Sequence, residues 1–341
     1  MVSVSNQRYK KSFDKRGIKN LMILSILVII TICLGIINIG LGDISFTPSD
    51  ILYSLFEYGD SDTRSIIMEY RMPRILLAMI AGMGLSISGV IAQAVLRNPL
   101  ASPDTIGISS GAGLGAVIVT LFFPESTMGI LASAALFGGV FAAFVVYILS
   151  YNKGINPIKL TLIGVTVSTF FSSGIQLFIS KANPNIHSAL IWLNGSLWGR
   201  TWLQVQEVFL WIVILMPVSW ILARHMDVMN IGDHVATGVG ISVEKKRLLL
   251  LIITVGMTAA AVSVVGTISF IGLISPHMGR KLVGPRHSIL IPTAGLLGAA
   301  LLVMADCIGR GLLPPLEIPV GLVISSIGAP FFLYLMWREK N

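Results

Sequence analysis

An all-α polytopic membrane protein of about ten transmembrane helices is what this sequence predicts, on three observations. Only 12% of the residues are charged against 54% hydrophobic, about half the charge of a soluble domain, whose wetted surface takes about 25%. Apolar runs of about 20 residues recur along the chain, enough to cross ~30 Å of hydrocarbon at about 1.5 Å per residue. Basic residues cluster at the ends of those runs, as loop charges do on the cytoplasmic side of a membrane. A soluble protein with a very large core is excluded, because its helices would need polar outer faces that these runs lack. The net charge of +8 is accordingly loop charge, and no nucleic-acid partner is expected.

The first element is a basic segment, Arg8, Lys10, Lys11, Lys15, Arg16 and Lys19, ahead of the apolar run 21–39. That run is too long for the core of a cleaved leader and no small-x-small pattern follows it. Residues 1–20 are therefore expected as a cytoplasmic tail and 21–40 as the first span. The stretch 41–70 carries Asp43, Asp50, Glu57, Asp60, Asp62 and Glu69, the composition of an outer loop. Spans are then expected at 74–96, 105–123, 128–150, 158–180 and 203–223, with more apolar material at 247–275, 288–308 and 318–337. Alternation places Arg97, Lys153, Lys159, the cluster Arg224, Lys245, Lys246 and Arg247, and the final Arg338 and Lys340 inside. Both termini inside demand an even number of spans, and nine apolar runs are plain. The run 247–283, interrupted by Gly266, Gly272 and Pro276, is thus expected to hold two short helices. Residues 21–337 form a single transmembrane domain in this reading.

Glycines spaced by four, as in Gly107, Gly111 and Gly115, read as close helix packing in lipid. Cys33 and Cys307 lie far apart in apolar stretches and read as small buried hydrophobes. No phosphate-cradling Gly-x-x-x-x-Gly-Lys-Ser/Thr occurs, and no nucleophile triad, metal cluster or cofactor motif, so the chain is expected to be no enzyme and to carry no cofactor. Three segments are too polar or proline-rich for membrane filler. Arg71-Met-Pro-Arg74 opens the second span, with Pro73 suited to a first helical turn and the two arginines able to offer forked donors to carboxylates; interfacial anchoring is the plain alternative. The inner connector 93–104, with Asn98, Pro99 and Pro103, is stiff non-helical backbone of the kind tolerated beside a cavity; it reads as a gate or a tight connector. The inner loop 224–247 places Met229, Ile231, Val235 and Val239 on a cytosolic surface, a docking pattern. Asp306, Arg310 and Glu317 are near-membrane charges, which mark function by default, with an Asp306–Arg310 pair at i, i+4 as the structural alternative. His277 reads as a hydrogen-bonded packing residue.

These residues carry a resemblance. Arg-Met-Pro-Arg at 71–74, Ser-Gly-x-x-x-Gln ending at Gln93, Asn-Pro-Leu-Ala-x-Pro at 98–103, the run 266–280, Ala305-Asp306-x-x-x-Arg310 and Glu317-Ile-Pro-Val-Gly-Leu are similar to FecCD-type permeases. Those are membrane subunits of type II ABC importers for ferric siderophores, haem and vitamin B12. The resemblance covers about 70 to 336 and implies ten spans, a type II ABC importer permease fold and a pathway between two permease subunits, alike or related. It also implies two separate ATP-binding ABC subunits below, where ATP hydrolysis takes place, and an extracytoplasmic solute-binding protein above. Carried over by residue, Arg71, Arg74 and Arg310 are the outward arginines that dock that protein. Asn98 and Leu100 form the cytoplasmic gate, and the stretch 226–240, with Asp227, Met229, Gly232, Asp233, Ala236 and Gly240, couples to the ATPase. The second gate of the vitamin B12 permease is not carried over, because the corresponding 154–159 lacks its small hydroxyl residues.

The function expected is therefore a multi-pass cell-membrane permease that moves an iron-siderophore-type chelate inward. The segment 192–200 resembles siderophore permeases more than the vitamin B12 one, which favours a ferric siderophore; haem or cobalamin import by the same kind of permease is the alternative. A secondary transporter driven by an ion gradient is the alternative from another class; it calls for carboxylates in mid-span, and the first six expected spans show none.

Overall fold

The computed structural model describes residues 2–339 apart from 43, 57, 59, 153, 181–185 and 314–315. Asp43, Glu57, Lys153 and Lys340 lie outside the described residues, as do the side chains of Arg8, Lys10, Lys11 and Lys15. The rest is a helical bundle. Helix α1 (Val2–Gly40) runs unbroken through the basic segment and the first apolar run. Two short helices, α2 (Pro48–Leu55) and α3 (Ser61–Ser65), interrupt the acidic loop; Thr47 and Asp50 cap α2 reciprocally. A π-helical turn, Ile66–Arg71, leads into α4 (Met72–Leu96).

There follow α5 (Ile108–Phe122), α6 (Met128–Ser150), α7 (Pro157–Ile179), the short α8 (Ile186–Leu193) and α9 (Trp202–Ile221). Next come α10 (Ala223–Ile231), α11 (Asp233–Gly238), α12 (Val243–Val265), α13 (Ile271–Val283), α14 (His287–Gly311) and α15 (Val320–Glu339). Among the described residues seven helical stretches are long and apolar enough to cross a membrane, and α5 and part of α15 are shorter apolar helices. The run 247–283 does divide into two helices, but unequally: α12 has 23 residues and α13 only 13.

Helix α4 is the hub. In the stretch containing it 78% of the apolar window is buried, against 17% for α7, so α4 is core and α7 is a wall. Closeness comes from glycine. A Cβ on Gly82 would fall within the carbonyl of Gly298 in α14, and one on Gly89 within the backbone of Gly272 in α13. Two of the three expected four-spaced glycines behave likewise, Gly111 and Gly115 lying on Gly138 and Ala134 of α6, whereas Gly107 makes no such contact and caps α5 at φ 85°. Cys307 is buried, whereas Cys33 is exposed on α1; the expectation of two buried cysteines fails there because α1 presents one side outward.

Candidate translocation and coupling sites

The bundle has two polar ends, set apart by the length of α4. At the upper end, where α4 begins, Arg74 donates to both carboxylate oxygens of Asp306 (2.7–3.2 Å) and of Glu317 (2.9 Å). Asn38 of α1 donates to Asp306 at 3.0 Å. Arg310 donates to the side chain and carbonyl of Asn38 (2.9 and 3.1 Å) and to the carbonyl of Leu41 (2.6 Å), with Glu317 at 3.8 Å. Arg71 reaches back to the carbonyls of Ile39 and Ile44 and lies 4.5 Å over the ring of Phe46. The three arginines expected to face outward are thus brought together but turned inward. Arg71 and Arg310 are 7% and 8% exposed, and the forked donors of Arg74 are taken by the chain's own carboxylates. Asp306 turns to Arg74, so the i, i+4 alternative with Arg310 is not the pair formed. Glu317 is the wet member, its side chain 32% exposed.

Midway, two non-helical segments re-enter the bundle from opposite ends. The connector after α4 passes through a 3-10 turn, Pro103–Ile106. It does not stay at the lower end. Thr105 lies on Gly164 of α7, and Ser168, at the midpoint of α7, donates to the carbonyl of Asp104 at 3.2 Å. From the other side, residues 266–270 fold back after α12, so that α13 begins beside Leu85 and Gly89, near the middle of α4. Pro103 of one segment meets Gly272 beyond the other. The cavity there, about 380 Å³, is lined by Asp104, Ser109, Ser110, Ser168, Thr267 and Ser269 among others. Irregular backbone at this depth is satisfied only by protein or by water in a cavity. Asp104, expected in the inner connector ahead of the third span, is carried by that connector to the level of Ser168 in α7.

At the lower end, where α4 closes on Arg97 in the left-handed region (φ 49°), Asn98 accepts from the backbone N–H of Leu100 (2.9 Å) and Ala101 (3.1 Å). Leu100 is 39% exposed. A cavity of about 250 Å³ lies behind Asn98, between Gln93, Arg97, Asn230, Arg280 and His287; Arg280 donates to Gln93 at 2.6 Å. Helices α10 and α11 pack against this connector. Met229 and Ala236 are buried (2% and 0% exposed), which corrects the expectation of Met229 as a surface residue; Ile231, Val235 and Val239 are exposed as expected. Gly232, between the helices, is at φ 152° and Gly240 at φ 85°, a conformation glycine adopts without strain.

Charges tie these pieces together. Arg97 donates to the carbonyl of Met229 (2.7 Å) and to Asp233 (2.5 Å). Arg247 donates to Asp233 (3.0 Å) and to the carbonyl of Ile155 (2.8 Å), whose N–H donates to Glu244 (3.0 Å). Asp227 accepts from the backbone N–H of His287 (3.0 Å), and the His287 ring nitrogen Nδ1 lies 2.6 Å from the same carboxylate. Burial pulls the Asp227 carboxyl up, but these bonds to His287 outweigh it and leave it below the usual value.

A helical bundle with re-entrant segments meeting at a mid-depth cavity, and no nucleotide-binding loop, is a transport permease in architecture. The FecCD transport family model matches residues 26–338, and the chain belongs to that family. It is 41% identical to the Fe(3+)-citrate import system permease protein YfmE of Bacillus subtilis (strain 168), covering 97% of this chain and 99% of the relative. It is 38% identical to the Iron(3+)-hydroxamate import system permease protein FhuG of the same organism, over 94% of this chain and 98% of the relative. A solved structure described as a metal-chelate type ABC transporter in an inward-facing conformation superposes with a TM-score of 0.85 at 28% identity, over 93% of this chain and 99% of that one.

Proposed function

We propose that this chain is the membrane permease of an ABC importer and carries a ferric chelate of the siderophore class into the cytoplasm. The end-to-end similarity to permeases named for iron import systems carries the reading. The upper end then lies outside and the lower end inside, with both termini cytoplasmic. The basic residues Arg16, Lys19, Arg97, Arg224, Lys245, Lys246 and Arg247 support that orientation, since positive loops are retained inside. Residues 1–20 are the cytoplasmic tail and 21–337 the permease domain, in which 224–247 is the coupling loop.

In this reading a second permease subunit completes the pathway, and the weakly buried α7 is a candidate wall for it. A solute-binding protein docks on the upper end through Arg71, Arg74 and Arg310. Because these arginines are already engaged, docking is an exchange: carboxylates from the binding protein compete with the exposed Glu317 for Arg74 and Arg310. Two ATPase subunits sit under α10 and α11, where Ile231, Val235 and Val239 offer apolar contacts. Asn98 and Leu100 close the lower mouth, and the hydroxyl-lined cavity beside Asp104 receives the chelate above them.

Reconstitution in vesicles with ATPase and binding-protein partners tests this. Iron supplied as a ferric hydroxamate or citrate should accumulate only with ATP; accumulation driven by a proton gradient without ATP would overturn the reading in favour of a secondary transporter. Glu317→Gln should tighten binding-protein docking by about threefold to tenfold, an exposed charge pair being worth up to about 1 kcal/mol. Unchanged docking would remove the exchange.

A further inference from the structure

The lower end holds a connection that the gate and the coupling helices do not by themselves explain. Arg97 is the last turn of α4 and the residue directly before Asn98. Its guanidinium bonds two groups on opposite sides of Gly232: the Met229 carbonyl in α10 and the Asp233 carboxylate at the start of α11. Gly232 is the joint between those helices, in a backbone conformation open to glycine. One side chain thus straps the joint and pins it to the gate. Arg97 itself sits at φ 49°, a region an L-residue with a long side chain enters rarely and at a cost. The backbone N–H groups of Arg97 and Asn98 both donate to the Gln93 carbonyl there and close the helix.

The far side of the strap is anchored. Arg247, 3% exposed, shares Asp233 and also holds the Ile155 carbonyl, while Glu244 holds the Ile155 N–H. Asp233 is therefore a carboxylate between two arginines of different character. The one on α12 is buried. Arg97 is 31% exposed, and the Asp233 side chain 41%. A pair exposed on both sides opens more readily than one whose cation is buried. When α11 moves against α10, the bond to Arg97 is the one that yields.

We infer that Arg97 is the positioning residue that transmits movement of the coupling helices to the gate, by making and breaking its bridge across Gly232 to Asp233. This rests on the importer reading above. Opening the α10–α11 joint withdraws Asp233 from Arg97 and lets the Asn98–Leu100 turn, next to it in the chain, shift. Closing it resets the turn. No residue that touches the chelate is involved, so the prediction concerns coupling rather than binding.

The test uses the full transporter in vesicles, reading chelate uptake and ATP hydrolysis together. Arg97→Gln and Asp233→Asn should each lower uptake about threefold to fivefold with a smaller change in ATP hydrolysis, so that ATP spent per chelate rises in both. The double variant should be no worse than Asp233→Asn alone, which already removes the bridge from Arg97. Arg97→Lys should recover part of the loss, since an ammonium reaches Asp233 but spans the joint poorly. An unchanged ratio of ATP to chelate in Arg97→Gln, or losses that multiply in the double variant, would overturn the inference. Should Arg97→Gln fail to assemble, the ratio in Asp233→Asn and Arg97→Lys decides. Absence of ATP-driven uptake in the unaltered transporter would instead sink the importer reading itself.

Discussion

The two ends of the bundle use the same kinds of residue to opposite effect. Above, Arg74 and Asp306 are sunk in the packing, with side chains 12% and 3% exposed, and Asn38 and Arg310 fasten them to α1. Below, Arg97 and Asp233 are 31% and 41% exposed and bridge separate short helices. Truncating one partner of a buried, hydrogen-bonded ion pair leaves a charge that has lost both water and partner, at about 3–5 kcal/mol. The wet pair exchanges its partner for water at about 0–1 kcal/mol. The upper cluster is therefore a clamp, and the lower one a latch.

The connection between clamp and latch is the contact of α4 with α14, where backbone meets backbone at Gly82 and Gly298. It should be the most sensitive point of all. Gly298→Val places a branched side chain where only a carbonyl fits, and a loss beyond about 4 kcal/mol is expected; size-exclusion chromatography in detergent should show no folded monomer. Gly298→Ala already places a Cβ on the Gly82 carbonyl oxygen, so the two backbones must part and a loss of about 3 kcal/mol or more is expected. Tolerance of valine would mean that the two ends are mechanically separate. Next in size, Asp306→Ala should lower stability by about 3–5 kcal/mol, read from denaturation midpoints in detergent, whereas Arg97→Ala, which leaves Asp233 its bond to Arg247, should cost about 1 kcal/mol or less. Equal losses would erase the distinction between clamp and latch.

Much of this was legible in residue order. Run lengths and charge parity placed the helices, and parity alone required 247–283 to divide. Arg71, Arg74 and Arg310 were grouped through the family resemblance, whereas Asp306 and Glu317, which bind Arg74, were not joined to them. Depth was harder to read. Proline and glycine in 97–107 mark non-helical backbone without saying whether it stays at the surface, so Asp104 reads as a loop residue. The shortness of α5, 15 residues, was the available signal, because about 20 are needed to span and the missing turns imply a start inside. Arg97 was read only as an interior charge, since nothing in sequence brings it to Asp233. Met229 was misplaced because a nine-residue helix has too few turns for its apolar face to be told from its wet one.

The smallest effect sharpens the comparison within the lower end. Asp227 joins α10 to the first residue of α14 through His287, and so fixes one side of the joint while Asp233 serves the moving side. Its carboxyl is held below the ordinary value near 3.9. A lowered pKa means that the unfolded chain binds the proton more readily, so the stabilisation is complete above that ordinary value and is lost as pH falls through the folded-state value. Asp227→Asn keeps an acceptor for the His287 N–H and should cost about 0.5–1.5 kcal/mol. Its stability difference from the unaltered protein should shrink in acid, as pH falls through the lowered Asp227 value. Uptake should fall less than threefold, with ATP per chelate unchanged, because this link anchors α10 without crossing Gly232. A rise in that ratio as large as for Asp233→Asn would place the moving joint on the other side of α10.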